Sequence, residues 1–233
     1  MSNLNYKTNI KEAYSYSPER LRQKGSVAFF NRHEERGLGQ LMNFSKSDVV
    51  LDAGCGYGRW TIKLAPKVRK VVAVDLSEPF LAELRERGYP NVDVICADLE
   101  SLNFREYFDG IIFSGALEHF KDKRAILEKL RQILKPGGGI YISCWTSDML
   151  TPLRIFRRCA EDEMRVGDRS WYIKEPSLEE MARYLKEADY KQIHVKSIYG
   201  NTQDLSPNTE EAYNDYIRRP RVVNVVNIAR AER

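Results

Sequence analysis

An α/β fold built on a parallel sheet, with helices on both of its faces, is what this 233-residue sequence predicts. Three observations carry that prediction. From Asp48 onward, short apolar runs alternate with amphipathic stretches, the order expected of strands joined by crossover helices. The runs are apolar without a polar face, as strands covered on both sides are. A glycine-rich turn, Gly54-Cys55-Gly56-Tyr57-Gly58, separates the first run from the first amphipathic stretch.

Each element can be placed in order. Residues 1–46 read as polar-aromatic and helical, with one helix beginning at Pro18 and a second over Val27–Phe44. The apolar runs are Val49–Leu51, Val71–Val74, Val92–Cys96, Gly110–Phe113 and Ile140–Cys144, and the stretches between them include Trp60–Ala65, Pro79–Arg87 and Lys123–Leu134. Gly88-Tyr89-Pro90-Asn91 and Lys135-Pro136-Gly137-Gly138-Gly139 punctuate helix ends, glycine supplying a left-handed cap and proline barring continuation. After Cys144 the pattern loosens, and 146–176 reads as a helical insertion on the substrate side. Ser177–Ala188 is a well-signalled helix, with Ser177 as N-cap and Glu180 as its capping-box partner. Strands follow at Lys191–Ile198 and Val222–Arg230, with a short helix at Thr209–Ile217 between them. The expected organisation is one domain: a helical cap (1–46), a ligand-binding core (48–145), the insertion (146–176) and a C-terminal helix with a strand hairpin (177–233).

Composition narrows the functional classes. The chain is 42% hydrophobic and 30% charged, with a net charge of +4 from 37 basic and 33 acidic residues. No stretch approaches the ~20 apolar residues of a membrane span, and Met1–Ile10 lacks the apolar core of a secretory signal, so a cytoplasmic location is expected. The densest basic patch, Arg218-Arg219-Pro220-Arg221, reads as a solvated strand entry rather than a nucleic-acid contact. Cys55, Cys96, Cys144 and Cys159 form no paired motif, and the first three read as small residues in or beside buried strands. No metal motif is present.

The chemistry concentrates at strand ends. Glycines at 54, 56 and 58 let the backbone turn sharply and approach a ligand. A dinucleotide turn would carry a third glycine where Arg59 stands, and would place a pyrophosphate there. Asp52, just ahead of the glycines, suits an ammonium or sulfonium better. Asp75 ends the second run, seventeen residues past Gly58. There it either accepts both hydroxyls of a ribose or caps the next helix, a cap that Ser77 can fill instead. Asp98, after the third run, can accept from an adenine amino group while Leu99 packs on the ring. The fourth run ends in small residues, Ser114-Gly115-Ala116, and then Glu118-His119; small residues there leave room for a ligand.

In this order, the motifs VLDAGCGYG, VVAVDLS, ADLESL, FDGIIFSGALEHF and LKPGGGIYIS resemble the class I S-adenosylmethionine-dependent methyltransferases, close to their type 11 small-molecule branch, over roughly residues 48–145. The resemblance implies a Rossmann-like, doubly wound seven-stranded sheet with the last strand antiparallel. It also implies S-adenosylmethionine as cofactor, with Gly54, Cys55 and Gly56 beside the methionine part and Asp52 steering its amino group. Asp75 would hold the ribose, Leu76 and Leu99 would face the adenine with Asp98, and Ser114 and Ala116 would contact the methionine through backbone.

His119 is the candidate general base, its ordinary pKa of ~6.5 suiting proton removal at neutral pH; alternatively Glu118-His119 packs at the next helix start. His33 is a second candidate. Tyr6, Tyr14 and Tyr16 either help close the site or anchor the cap. Trp145, Trp171 and Tyr172 line an acceptor pocket or form the insertion's own core. The expected reaction is transfer of a methyl group to a small-molecule substrate. RNA or protein acceptors, a non-catalytic cofactor-binding partner subunit and a nicotinamide-dependent oxidoreductase are the competing readings.

Overall fold

A computed structural model describes residues 11, 25–105, 107–147, 157–160, 163–166, 169–205 and 222–233. The expected helices at Pro18 and Thr209–Ile217, the tyrosines at 6, 14 and 16, and the side chain of Trp171 lie outside what is described. Helix α1 (Gly25–Gly37) is followed by β1 (Val49–Ala53), α2 (Arg59–Leu64), β2 (Lys70–Asp75), α3 (Glu78–Glu86), β3 (Val92–Cys96) and β4 (Phe108–Ser114). A 3₁₀ turn (Leu117–His119) leads into α4 (Lys123–Gln132) and β5 (Leu134–Trp145). Then come β6 (Arg157–Ala160), β7 (Glu163–Val166), β8 (Arg169–Tyr172), α5 (Leu178–Glu187), β9 (Lys191–Asn201) and β10 (Val222–Glu232).

Seven strands form the main sheet in the order β3-β2-β1-β4-β5-β10-β9. β1 pairs in parallel with both β2 and β4, whereas β10 runs antiparallel to β5 and β9. The expected sheet, including its antiparallel last strand, is therefore the observed one. Its two faces are both apolar because successive residues point to opposite sides. Ile112 packs with Phe29, Phe30, Trp60 and Ile228 on one face, while Ile111 and Phe113 pack with Ile126, Leu130, Met181 and Leu185 on the other. Strand order reverses between β1 and β4, so their carboxyl ends diverge into a crevice, the place where open α/β sheets bind ligands.

Three expectations are corrected. The insertion is not helical where it is described: β6, β7 and β8 form a three-stranded antiparallel sheet. Val166 pairs with Arg169 across the two-residue connection Gly167-Asp168, and Ala160 pairs with Glu163 across Glu161-Asp162. Gly-Asp between paired residues is a hairpin signal, and Glu163-Met164-Arg165-Val166 alternates with period two. The dense charges masked both. Second, the glycines after Lys135 do not cap α4, which ends at Gln132 with Ile133 at its C-cap. Gly137, with φ 77°, instead sits in a bulge of β5, where Leu134 pairs with Phe108 and Gly139 with Gly110. The Lys135 ammonium lies 2.8 Å from the Asp109 carboxylate, which ties the bulge down. Third, Cys96 is exposed, because β3 is an edge strand, while Cys55 and Cys144 are buried as expected.

The start of α5 is as anticipated: the Ser177 hydroxyl accepts from Glu180 N at 3.2 Å and the Glu180 carboxylate accepts from Ser177 N at 2.9 Å. Replacing an N-cap serine by alanine costs about 1 kcal/mol. Ser177→Ala should lower the unfolding free energy by that amount, read as a lower urea midpoint at an unchanged m-value; an unmoved midpoint would show that the box adds nothing.

Candidate active site

The turn between β1 and α2 is shaped by three residues in the left-handed region: Gly54 (φ 70°), Gly56 (φ 55°) and Gly58 (φ 80°). Side chains are excluded by space as well. A Cβ on Gly54 would come within 2.9 Å of the Ala116 methyl, and one on Gly58 within 2.6 Å of Leu84. The turns after β1 and β4 thus nearly touch, which explains why both carry small residues. Gly54 N and Cys55 N donate to Val74 O at 2.8 and 2.9 Å, stitching the turn to β2.

Asp75, at the tip of β2, completes the stitch. Its two carboxylate oxygens accept from Gly56 N and from Ser77 N, each at 2.8 Å. Burial raises its pKa, although these bonds oppose the rise. Ser77 occupies the N-cap of α3, but its hydroxyl makes no capping bond, so the Asp75 carboxylate organises both loops. Asp52 lies beneath the turn. It accepts from Thr61 Oγ1 at 2.5 Å, and burial pushes its pKa up to about 6. Its direct partner is α2, so any pull on a ligand is through the field alone. The neighbouring Cys55 thiol is pushed well above its usual range by burial and by Asp52 and Asp75.

The remaining sequence-nominated residues gather at the same end of the sheet. Leu76 is half-buried beside Asp75, and Asp98 accepts from Glu100 N at 3.0 Å in the turn after β3. Leu99 is buried among the core residues under β1 and β4. Ser114 ends β4, and its hydroxyl donates to Glu34 Oε1 at 2.5 Å.

That last partner was missed from sequence. Glu34 of α1 is fully enclosed. It accepts from the Ser114 and Ser143 hydroxyls and from Trp60 Nε1 at 3.3 Å, and it pairs with the Arg59 guanidinium. Arg59, the residue that replaces a dinucleotide turn's third glycine, therefore meets a buried carboxylate 25 residues upstream. Among charged helix residues Glu34 has no local signal; only the tertiary fold brings it over the strand tips.

His119 is brought to this end too, with its Nδ1 3.5 Å from Tyr172 O. Burial, with Lys123 nearby, lowers its pKa to about 4, so it is neutral but a weaker base than its ordinary value suggested. Glu118 is wholly buried: its carboxylate accepts from Trp145 N at 3.3 Å and its carbonyl from Lys174 N at 2.9 Å. Its pKa is pushed up to about 7 by burial. The Lys123 ammonium donates to Phe120 O at 2.9 Å and Tyr172 Oη at 3.2 Å, 4.9 Å from the tyrosine ring centre. Glu118, His119 and Lys123 thereby fasten β8 and the segment after it to the core. Trp145 stacks on Phe30 with ring centres 4.0 Å apart, and its Nε1 lies where a Gly115 side chain would reach. His33 is removed from the site: it packs on Phe29 and against Gly200 of β9. Among the described residues, no group of three metal-ligating side chains is assembled.

Comparison with known proteins agrees with this geometry. The family described as "Methyltransferase domain" matches residues 50–138. A demethylmenaquinone methyltransferase of Staphylococcus saprophyticus is 26% identical over 201 residues, 75% of this chain and 84% of that one. The Bacillus licheniformis demethylmenaquinone methyltransferase is 30% identical over 126 residues, 51% of this chain and 54% of its own length. The structure of DhpI in complex with SAM and HEP superposes with a TM-score of 0.69 at 19% identity, over 100% of both chains. Over residues 50–138 in sequence, and over its whole length in fold, the chain is similar to methyltransferases.

The Glu118 carboxyl binds its proton more tightly folded (about 7) than at its ordinary 4.5. Its contribution to stability is therefore full below pH 4.5 and lost as pH rises through 7. Glu118→Gln keeps the acceptor for Trp145 N without the charge. It should match the wild type near pH 4.5 and exceed it by up to about 3 kcal/mol at pH 8, read from urea denaturation at both values. A pH-independent difference would remove the assignment.

Proposed function

We propose that this enzyme transfers a methyl group from S-adenosylmethionine to a small-molecule acceptor by in-line displacement, with the cofactor held at the β1–β4 crevice. The observation that carries this reading is the turn of Gly54–Gly58, with glycine at every second position, and Asp75 fastened beside it. An open backbone cradle next to a buried carboxylate suits a cationic amino-acid tail joined to a ribose. When bound, the cofactor supplies a methyl group on a sulfonium with a good leaving group.

The protein's share is binding, alignment and exclusion of water. Gly54, Cys55 and Gly56 take the methionine part, joined by the backbone of Ser114 and Ala116. Asp75 accepts the ribose hydroxyls, and Leu76, Asp98 and Leu99 take the adenine. Asp52 supports the turn from below and adds negative potential toward the amino group. Proximity and alignment alone supply about 7–11 kcal/mol in favourable cases, so an amine or thiolate acceptor needs no base. For a hydroxyl acceptor His119 is the nominated base. Its low pKa leaves it unprotonated at neutral pH but gives it little driving force, so its contribution is modest.

The demethylmenaquinone relatives and the SAM-bound DhpI support a small-molecule acceptor over RNA or protein, as does the modest net charge of +4. Trp145 and Tyr172 are proposed to face that acceptor. Free thiols at Cys55, Cys96 and Cys144 support a reducing, cytoplasmic setting as part of the proposal. No helix among the described residues is long and apolar enough to cross a membrane.

S-adenosylhomocysteine at 100 times its Kd should raise the melting temperature by about 5–10 °C, whereas NAD should leave it unmoved; no shift with the former would sink the cofactor site. Asp75→Ala should weaken that binding by about 10- to 100-fold, the scale of charged hydrogen bonds. Transfer of labelled methyl from S-adenosylmethionine to extracted small molecules separates an enzyme from a non-catalytic binding subunit. His119→Gln should retain most of that transfer to an amine or thiol and lose about tenfold or more to a hydroxyl; equal retention with all three would remove the base.

A further inference from the structure

Two enclosed side chains of opposite kind stand next to the end of β8 without pairing. Glu118 is fully buried, and only one oxygen of its carboxyl group is used. Oε1 accepts from Trp145 N at 3.3 Å, while Oε2 meets no donor among the described residues. Lys123 keeps only 4% of its surface exposed. Its ammonium donates to two uncharged oxygens, Phe120 O at 2.9 Å and Tyr172 Oη at 3.2 Å, and lies 4.9 Å from the centre of the tyrosine ring. The two groups nonetheless act on each other through their fields.

A buried acid and a buried ammonium ordinarily pair, because an unpaired charge in a dry interior is strongly destabilising. The arrangement here fits an acid that carries its proton. A neutral carboxyl tolerates an unused oxygen far better than a carboxylate does, and Lys123 is then available to Tyr172. Burial pushes the Glu118 pKa up to about 7, so the neutral form persists to near-neutral pH. Loss of the proton, which passes to solvent, reverses the preference. The bare Oε2 then needs a donor, and Lys123 offers three on a flexible stem. The other titratable and charged groups around the pair are His119 in the same 3₁₀ turn, Cys144 of β5, Lys174 and Glu175 after β8, and Glu180 of α5. His119, lowered to about 4, and Cys144, pushed well above its usual range, keep their charge states between pH 6 and pH 8.

We propose that Glu118 and Lys123 form a proton-operated latch on the end of β8. With Glu118 protonated, Lys123 holds Tyr172 and β8 stays on the core. With Glu118 ionised, the ammonium turns from Tyr172 to the carboxylate and the end of β8 is let go. The same short stretch carries the other attachments to this corner: Tyr172 O lies 3.5 Å from His119 Nδ1, and Lys174 N donates to Glu118 O at 2.9 Å. In the function proposed above Tyr172 faces the acceptor. On that reading the acceptor side is closed in acid and opened as pH rises through neutrality; the latch itself requires no ligand.

Hydrogen exchange on the full chain, followed by mass spectrometry at pH 6 and pH 8, tests the latch. The readout is the protection factor of residues 172–175, which include the Lys174 amide, with β1 and β2 as the control for global opening. In the wild type that protection should fall about tenfold between the two pH values, the rise in ionised fraction of one group titrating near 7, while β1 and β2 hold theirs. Glu118→Gln cannot ionise and should keep the pH 6 level at both. Lys123→Met removes the ammonium that holds Tyr172 and should show the low level at both. Tyr172→Phe keeps the ring and removes only the hydroxyl; it should lose protection several-fold at pH 6 and flatten the pH dependence, and it carries the test if Lys123→Met does not fold. Equal protection at the two pH values in the wild type, an equal loss in β1 and β2, or the same fall in Glu118→Gln overturns the latch. No acceptor enters the measurement, so those results leave the proposed methyl transfer standing, and a failure of methyl transfer leaves the latch standing.

Discussion

The Glu34 carboxylate is the point on which the upper half of the molecule is organised. It is withdrawn from water, a cost of several kcal/mol for an isolated ion, and that cost is met by four donors from three elements: Arg59 and Trp60 of α2, Ser114 of β4 and Ser143 of β5. Those donors belong to elements that leave the sheet in different directions. One side chain from α1 therefore sets the positions of the first helix after the glycine turn and of two adjacent strand tips. Such a network does little for net stability relative to an apolar core, but it tolerates only one arrangement of its members.

Beneath that hub the crevice is defined by contact rather than by charge. Parallel strands β1 and β4 are neighbours, yet the chain leaves them toward opposite sides, and the turns that follow come as close as Gly54 and Ala116 permit. Asp75 then fixes the backbone of both flanking loops through Gly56 N and Ser77 N. The same carboxylate is the one proposed for the ribose. In that proposal one group both holds the cradle and contacts the ligand, and the backbone of the site is already fixed before a ligand arrives.

The proposed acceptor side is built differently. Glu118, His119 and Lys123 attach β8 and the residues after it to the 3₁₀ turn beyond β4, using backbone carbonyls and the Tyr172 ring and hydroxyl. Burial keeps His119 neutral and shifts Glu118 toward its protonated form. Among the described residues, this corner holds β8 against the core through specific contacts. The proposed acceptor side, in the inserted segment, is thus separate from the proposed cofactor site in the β1–β4 crevice.

The central architecture was legible because its signals are local. Alternating runs gave the strands, Ser177 and Glu180 marked the start of α5, and the glycine spacing with Asp52 and Asp75 located the turn and its neighbour; each depends on residues within a few positions of one another. What only the tertiary structure decided depends on residues far apart. Glu34 meets Arg59, Ser114 and Ser143 across separations of 25, 80 and 109 residues, and nothing about a glutamate in a charged helix announces such partners. The pKa values of His119 and Glu118 follow from burial, which no local pattern states. The β6–β8 hairpins fell between these cases: Gly167-Asp168 was a turn signal in plain view, overridden by the charge density around it. Sequence determined the backbone path to the cofactor turn, because turns and strands obey short-range sterics. The tertiary structure determined which charges are buried beside it, because desolvation is a property of the packed chain as a whole.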